Sequence, residues 1–140
     1  MPKLSVLMIR AALIYMGFGF LAGSLLLWNK GFALYPWIWK LLNSHMEIMV
    51  FGWTIQLIMG VTFWILPRFS NRDNRYGAEY LAWWSFYLIN SGVVLTVVAD
   101  WYSLNWLASI GRLCILFAIV SFAIMIAPRV KPLMDINASQ

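Results

Sequence analysis

The stretch LSVLMIRAALIYMGFGFLAGSLLLW, residues 4–28, decides the fold of this chain. It is a continuous apolar run whose only charged residue is Arg10. A helix crosses the hydrocarbon core of a bilayer with about 20 apolar residues, and it satisfies its own backbone hydrogen bonds there. The run is too long for the apolar part of a secretory signal peptide and lacks the small-residue cleavage pattern of one. It therefore predicts a membrane-spanning helix.

Three further apolar runs of spanning length follow at residues 45–66, 80–98 and 107–127. Of the 140 residues, 63% are hydrophobic and 11% are charged, which leaves too little polar surface for a water-soluble domain. We predict an all-α integral membrane four-helix bundle. It forms a single transmembrane domain over residues 1–140 and leaves no room for a soluble domain.

Turn-forming residues separate the predicted spans. Pro67 and Gly77 bound a charged connection after the second run, and ADWYSLNW, residues 99–106, predicts a tight turn. YPWIWKLL, residues 35–42, predicts a short interfacial helix that begins at Pro36, because proline suits the first helical turn.

Glycines recur on the first two runs at helical spacing. Gly19 and Gly23 form a Gly-x-x-x-Gly pair beside Gly17, and the second run contains Gly52 and Gly60. Small residues let membrane helices approach closely. We expect these glycines to lie where neighbouring helices pack.

The distribution of Lys and Arg predicts the orientation in the membrane, because cytoplasmic loops are enriched in both residues. One side of the predicted bundle carries Lys3, Arg10, Arg68, Arg72, Arg75, Arg129 and Lys131, and the other carries Lys30 and Lys40. We predict that both termini and the middle loop are cytoplasmic. The opposite boundary has the tryptophans of an aromatic belt: Trp28, Trp37, Trp39, Trp101 and Trp106.

Composition and spacing exclude several function classes. The net charge is +5, but the basic residues are spread over the span ends and form no patch for nucleic acid. Cys114 is the only cysteine, so no intrachain disulfide forms. The chain has neither a nucleophile–histidine arrangement nor a phosphate-binding glycine loop. We expect no catalytic residues, so any chemistry would have to be carried out by a bound cofactor. Membrane lipid is an expected partner.

His45 is the only histidine and lies in NSHMEIMVFGW, residues 43–53. SHME has the Ser-x-x-Glu form of a capping box, in which Ser44 and Glu47 start the helix and His45 is an ordinary interfacial residue. Alternatively, His45 shares a helix face with Gly52, about two turns further on. An imidazole beside a smooth small-residue groove suits axial ligation of haem iron. Copper or zinc fits less well, because no second ligand completes a site.

Arg112 lies roughly 9 Å into the fourth run, at ~1.5 Å per residue from Trp106. We expect it on the same side of the bundle as His45. A cation at this depth needs an anion. The candidates are a haem propionate, Asp100 and Glu47, and snorkelling to the lipid headgroups is a further alternative.

Residues 45–69, HMEIMVFGWTIQLIMGVTFWILPRF, follow SVLMIRAALIYMGFGFLAGSLLL, residues 5–27. Together they resemble the first two helices of subunit I of haem-copper oxidases, especially the cbb-type and nitric-oxide-reductase-like branches and short four-helix relatives. In that family the second helix supplies an axial histidine to low-spin haem b near the outer surface, followed by a glycine. The resemblance implies that His45 ligates haem b and Gly52 lies beside it, and Arg112 is then the expected propionate partner.

The chain departs from that subunit beyond residue 69. The other haem and copper ligands of the family come from later helices, and His45 is the only histidine here. We therefore predict that the chain is not a complete oxidase alone. It is either a haem b-binding electron-transfer subunit of a respiratory complex in a bacterial inner membrane, or a cofactor-free structural subunit of a larger membrane assembly. Three arrangements of a haem on His45 are open: five-coordinate iron, iron shared with a second copy of the chain, or iron shared with another subunit. Met46 could supply the opposite axial ligand only from a neighbouring protomer.

Overall fold

The computed structural model describes residues 1–32, 35–67 and 76–130, and within these ranges the chain forms four helical spans and no strand. The first, third and fourth spans are α1 (Lys3–Phe32), α4 (Glu79–Tyr102) and α5 (Asn105–Ile126), the last extended by a 3-10 turn (Ala127–Arg129). The second span comprises a 3-10 turn (Pro36–Lys40), α2 (Leu41–Glu47), a π-helix (Ile48–Ile55) and α3 (Gln56–Ile65). All four spans are long and apolar enough to cross a membrane, which confirms the predicted all-α membrane fold.

The second span begins earlier than predicted. Pro36 lies in the first turn, as expected for an interfacial helix, but the helix then continues without a break into the membrane span. Ser44 and Glu47 therefore lie inside a helix whose N–H groups are already bonded. The predicted capping box is wrong: neither residue caps the helix, and the Ser44 hydroxyl is buried without a hydrogen-bond partner among the described residues.

The predicted tight turn between α4 and α5 is confirmed. Ser103 follows the last residue of α4 and adopts the left-handed conformation, with φ 56° and ψ 37°. The N–H of Leu104 donates back to the carbonyl of Ala99 at 2.9 Å. This Schellman-type ending satisfies a carbonyl at the C-terminus of α4 and reverses the chain within two residues.

The predicted orientation depends in part on Arg68, Arg72, Arg75 and Lys131, which lie outside the described residues. Cytoplasmic termini therefore stay a prediction.

Glycines bring α1 and the second span together as an antiparallel pair. The contacts run in opposite directions along the two helices: Gly23 with His45, Gly19 with Met49, Gly52 with Tyr15, and Gly60 with Met8 and Ile9. The Ser5 hydroxyl adds a 2.7 Å hydrogen bond to the Gly60 carbonyl. The glycines predicted to pack against a neighbouring helix do so, except Gly17, which faces open space.

The remaining two spans, α4 and α5, form a second antiparallel hairpin with an interface about as extensive as that of the first. Gly92 of α4 faces Gly111 of α5 at its closest approach. The second span contacts α4 and so joins the two hairpins. A buried apolar cluster fills the end of the bundle that holds the N-terminus: Leu4, Met8, Met59, Phe63, Ala82, Ile89, Ala118, Phe122 and Met125.

Arg129 closes this end of the bundle with a side chain that is only 2% exposed. Its Nη2 donates to the carbonyls of Phe63 at 3.0 Å and Leu66 at 2.8 Å, and its Nε donates to that of Pro67 at 3.1 Å. The Phe63 carbonyl lacks its helical donor because the residue four positions on is proline. The guanidinium also lies 5.2 Å from the Phe63 ring centroid and 5.7 Å from that of Tyr76. A charge predicted only to set topology therefore caps the second span.

Candidate functional site

His45 lies against the glycine face of α1. Its Nδ1 is 2.9 Å from the carbonyl oxygen of Gly19. A Cβ added to Gly23 falls 2.9 Å from the imidazole Cε1, so the ring occupies space that only glycine leaves open. The helix pairing of α1 with the second span thus fixes the position of the imidazole.

The bond from His45 to Gly19 also determines the tautomer of the ring. A backbone carbonyl only accepts hydrogen bonds, so Nδ1 carries the proton and donates it. In the neutral imidazole Nε2 then keeps its lone pair. Nε2 has no hydrogen-bond partner in the described ranges and is not a buried atom. The ring is therefore oriented by one nitrogen and available for ligation through the other.

A shallow groove of about 230 Å³ lies beside the ring. It is lined by Gly23, Leu26, Leu27, Lys30, Trp39, Leu42 and His45. All of these residues belong to α1 and the first part of the second span, and none comes from α4 or α5. Lys30 is the charged group of the groove. His45 thus lies in a groove on the outside of the first hairpin, and this groove is apolar apart from the Lys30 ammonium and the imidazole itself.

Gly52 does not offer an open surface. It is buried, and the ring of Tyr15 from α1 lies on it: a Cβ at Gly52 falls 2.7 Å from Tyr15 Cγ. The flat group on this glycine is an aromatic side chain of the same chain. A macrocycle reaches Gly52 only if Tyr15 moves away.

Arg112 pairs with Glu47 across the bundle. Its Nε lies 3.2 Å from Glu47 Oε1, and the side chains are 63% and 10% exposed, respectively. Of the anions considered from the sequence, Glu47 is therefore the partner in this structure. The other carboxylate oxygen, Oε2, is buried and has no hydrogen-bond partner among the described residues, and the same holds for Asp100 Oδ2.

The predicted haem contacts do not converge on one place. His45 and Gly52 both face α1, but His45 meets Gly19 and Gly23 whereas Gly52 meets Tyr15. Arg112 lies on a different side, where a cleft of about 180 Å³ separates the second span from α5. That cleft is lined by Asn43, Met46, Glu47, Val50, Phe51 and Arg112. Of the three predicted contacts, His45 alone has a free ligating atom in this arrangement.

Two features of the second span beyond His45 were not predicted from the sequence. The helix from Ile48 to Ile55 has π-type hydrogen bonding, a rare geometry that is frequent at functional sites. Within it, the Thr54 hydroxyl donates to the carbonyl of Met49 at 2.9 Å. Gln56, at the start of α3, is completely buried, and neither of its amide atoms has a hydrogen-bond partner in the described ranges. An amide in an apolar run was a visible signal for Gln56, whereas no residue pattern marks the π-helix.

No cluster of three or more His, Cys, Asp or Glu side chains occurs in the part of the chain that the structure describes. Comparisons with protein-family models, with curated proteins and with solved structures find no match. The resemblance of residues 5–69 to oxidase subunit I stays an expectation from the sequence.

Proposed function

We propose that this chain is a membrane subunit of a respiratory electron-transfer complex and binds haem b through His45. The observation that carries the proposal is the hydrogen bond from His45 Nδ1 to the Gly19 carbonyl. Metal-ligating histidines characteristically donate their second ring N–H to a carbonyl or carboxylate, which orients the ring and raises its basicity. The arrangement leaves Nε2 as the ligating atom.

The environment of His45 supports a haem more than a bare metal ion. Iron in a porphyrin needs only one or two axial ligands from protein, whereas zinc and copper sites need three or four side chains. The groove beside the ring is lined mainly by apolar side chains, which suit the face of a macrocycle. When bound, haem b supplies reversible one-electron transfer.

Of the residues expected to contact haem, only His45 fits the group in this arrangement. Tyr15 occupies the surface of Gly52, and Glu47 binds the guanidinium of Arg112. Gly52 and Arg112 therefore act in helix packing and in an ion pair here. The proposal rests on His45 and its groove.

A visible spectrum tests the proposal directly. We expect protein made with ample haem and purified in detergent to show a Soret band and a pyridine haemochrome of b type. His45→Ala removes or shifts that band, whereas Ile58→Ala, at an exposed position of the same span, leaves it unchanged. Absence of a Soret band in the wild-type protein excludes haem binding, and an unchanged spectrum in His45→Ala places the ligand elsewhere.

A cofactor-free structural subunit is the second candidate, and the covered surface of Gly52 favours it. In that case His45 serves only to bind the Gly19 carbonyl and link α1 to the second span. An Asn side chain retains an N–H donor of similar reach. His45→Asn then preserves the stability of the protein in detergent and its assembly with other subunits, whereas His45→Leu lowers both.

A further inference from the structure

We propose that a second copy of this chain closes the groove at His45, so that one haem is held between the His45 imidazoles of two protomers and Lys30 of each protomer binds one propionate. This inference rests on the proposed haem function and adds its stoichiometry, its second axial ligand and its anion partner.

The groove is incomplete as a cofactor pocket. Pockets that enclose a drug-sized ligand measure roughly 300–1,000 Å³ and cover most of its surface. The groove at His45 measures about 230 Å³ and is bounded by one hairpin only. No described residue of α4 or α5 lines it, so neither of these helices lies opposite the imidazole. A haem on His45 therefore exposes its other face to lipid or to another polypeptide.

The composition of the chain favours a second copy as that polypeptide. Each chain has one histidine, its ligating nitrogen is not a buried atom, and the residue lines the groove on the first hairpin. A two-fold axis presents the same surface from both sides. Two copies thus supply two equivalent imidazoles, which completes six-coordinate iron without any other ligand.

Lys30 is placed to bind a propionate. Gly23, Leu26, Leu27 and Lys30 lie on one face of α1, since residues three, four and seven apart share a helix face. Lys30 lies about two turns from Gly23, toward the membrane boundary, and lines the same groove. Its side chain is exposed and has no ion-pair partner among the described residues. Haem carries two propionates, and two protomers supply two lysines.

Titration of the purified, haem-free chain with haemin tests the proposal, with mass measured by light scattering during gel filtration in detergent. We expect one haem per two chains, a mass increase to the dimer that depends on haem, and the sharp α band of a six-coordinate low-spin b haem on reduction. Haem bound one to one on a monomer overturns the proposal and leaves the proposed haem function intact. Haemin that does not elute with the chain at any haemin concentration overturns both.

Matched variants identify the surface. Lys30→Gln removes both lysines from the dimer and is expected to weaken haemin affinity roughly 25-fold, about fivefold for each partly exposed ion pair. Lys40→Gln, an exposed lysine outside the groove, leaves affinity unchanged. Leu27→Trp fills the groove and prevents the haem-dependent dimer, whereas Leu21→Trp, exposed on another face of α1, does not. Equal effects within either pair overturn the assignment of this surface.

Discussion

Gly92 of α4 and Gly111 of α5 lie against each other's carbonyl groups. A Cβ on Gly92 falls 2.8 Å from the Gly111 carbonyl oxygen, and a Cβ on Gly111 falls 2.9 Å from that of Gly92. Both distances are shorter than the contacts that Cβ atoms make in proteins. The atom met is a backbone oxygen, which cannot move away as a flexible side chain can. We expect Gly111→Ala to lower the free energy of unfolding by about 1–3 kcal/mol through overpacking. Denaturant titration in detergent micelles measures the loss.

Gly31→Ala is the matched control for this variant, because no atom of the described residues lies within 4 Å of a Cβ at Gly31. It changes the intrinsic helix propensity in the same direction without touching a neighbour. A loss of stability that is equal in the two variants contradicts the close approach of α4 and α5.

Gly23→Ala is expected to displace the His45 imidazole, because the new methyl group falls 2.9 Å from Cε1. The hydrogen bond from Nδ1 to the Gly19 carbonyl then weakens or breaks. Since the chain has one histidine, ¹⁵N-histidine labelling gives a single imidazole whose nitrogen shifts report the tautomer. The wild-type protein should show the Nδ1–H form, and Gly23→Ala should shift both signals.

Gly17→Ala controls for the added methyl group on α1, since Gly17 faces open space. It should leave the imidazole spectrum unchanged. An Nε2–H tautomer in the wild-type protein is incompatible with the observed bond to Gly19 and with ligation through Nε2.

Arg129→Met removes three hydrogen bonds to carbonyls at the end of the second span. Bonds to a charged group contribute about 1.5–3 kcal/mol each, and buried acceptors left without a donor are costly. We expect a loss of at least about 3 kcal/mol, seen as a lower unfolding midpoint in detergent. Arg129→Lys should recover only part of this loss. An ammonium still donates hydrogen bonds, but it lacks the planar fork with which a guanidinium reaches several carbonyls.

Arg10→Met is the comparison for Arg129, since Arg10 is exposed and has no hydrogen-bond partner within the described ranges. It should change stability little. If Arg129→Met is equally mild, the cap does not hold the second span in place.

The two partners of the Glu47–Arg112 ion pair should respond unequally to substitution. Arg112→Gln leaves a carboxylate that is only 10% exposed without its cation, whereas Glu47→Gln leaves an arginine that is 63% exposed and keeps an oxygen acceptor for it. We expect Arg112→Gln to cost roughly 1–3 kcal/mol and Glu47→Gln less than about 1 kcal/mol. A double-mutant cycle in detergent separates the pair interaction from each single effect. Equal costs for the two single variants would show that Glu47 is hydrated.

The spans were predictable because crossing a membrane depends on the length and composition of a local run. The packing of Gly19, Gly23, Gly52 and Gly60 followed from their size. Gly17 is equally small, but it lies on a face of α1 that does not contact the second span. Which face of a helix packs depends on the neighbouring helix and not on the local sequence.

The candidate site was predictable only in part. His45 was recognisable as the one imidazole of an apolar chain, but its partner, the Gly19 carbonyl, belongs to another span and has no side chain. The Tyr15 ring over Gly52 is equally a matter of which helix lies opposite. The role of Arg129 was more predictable from the sequence. Pro67 has no N–H to donate to the Phe63 carbonyl, so that carbonyl needs a donor from elsewhere in the chain.

Arg112 and Arg129 lie about 25 Å apart along the last span, at ~1.5 Å per residue. Both bind the second span, the first through a carboxylate and the second through backbone carbonyls, although α5 otherwise packs mainly on α4. The two hairpins are thus joined by polar contacts at two levels along the helix axes. Sliding of one hairpin past the other along the membrane normal requires both contacts to break, so the two contacts together resist this motion.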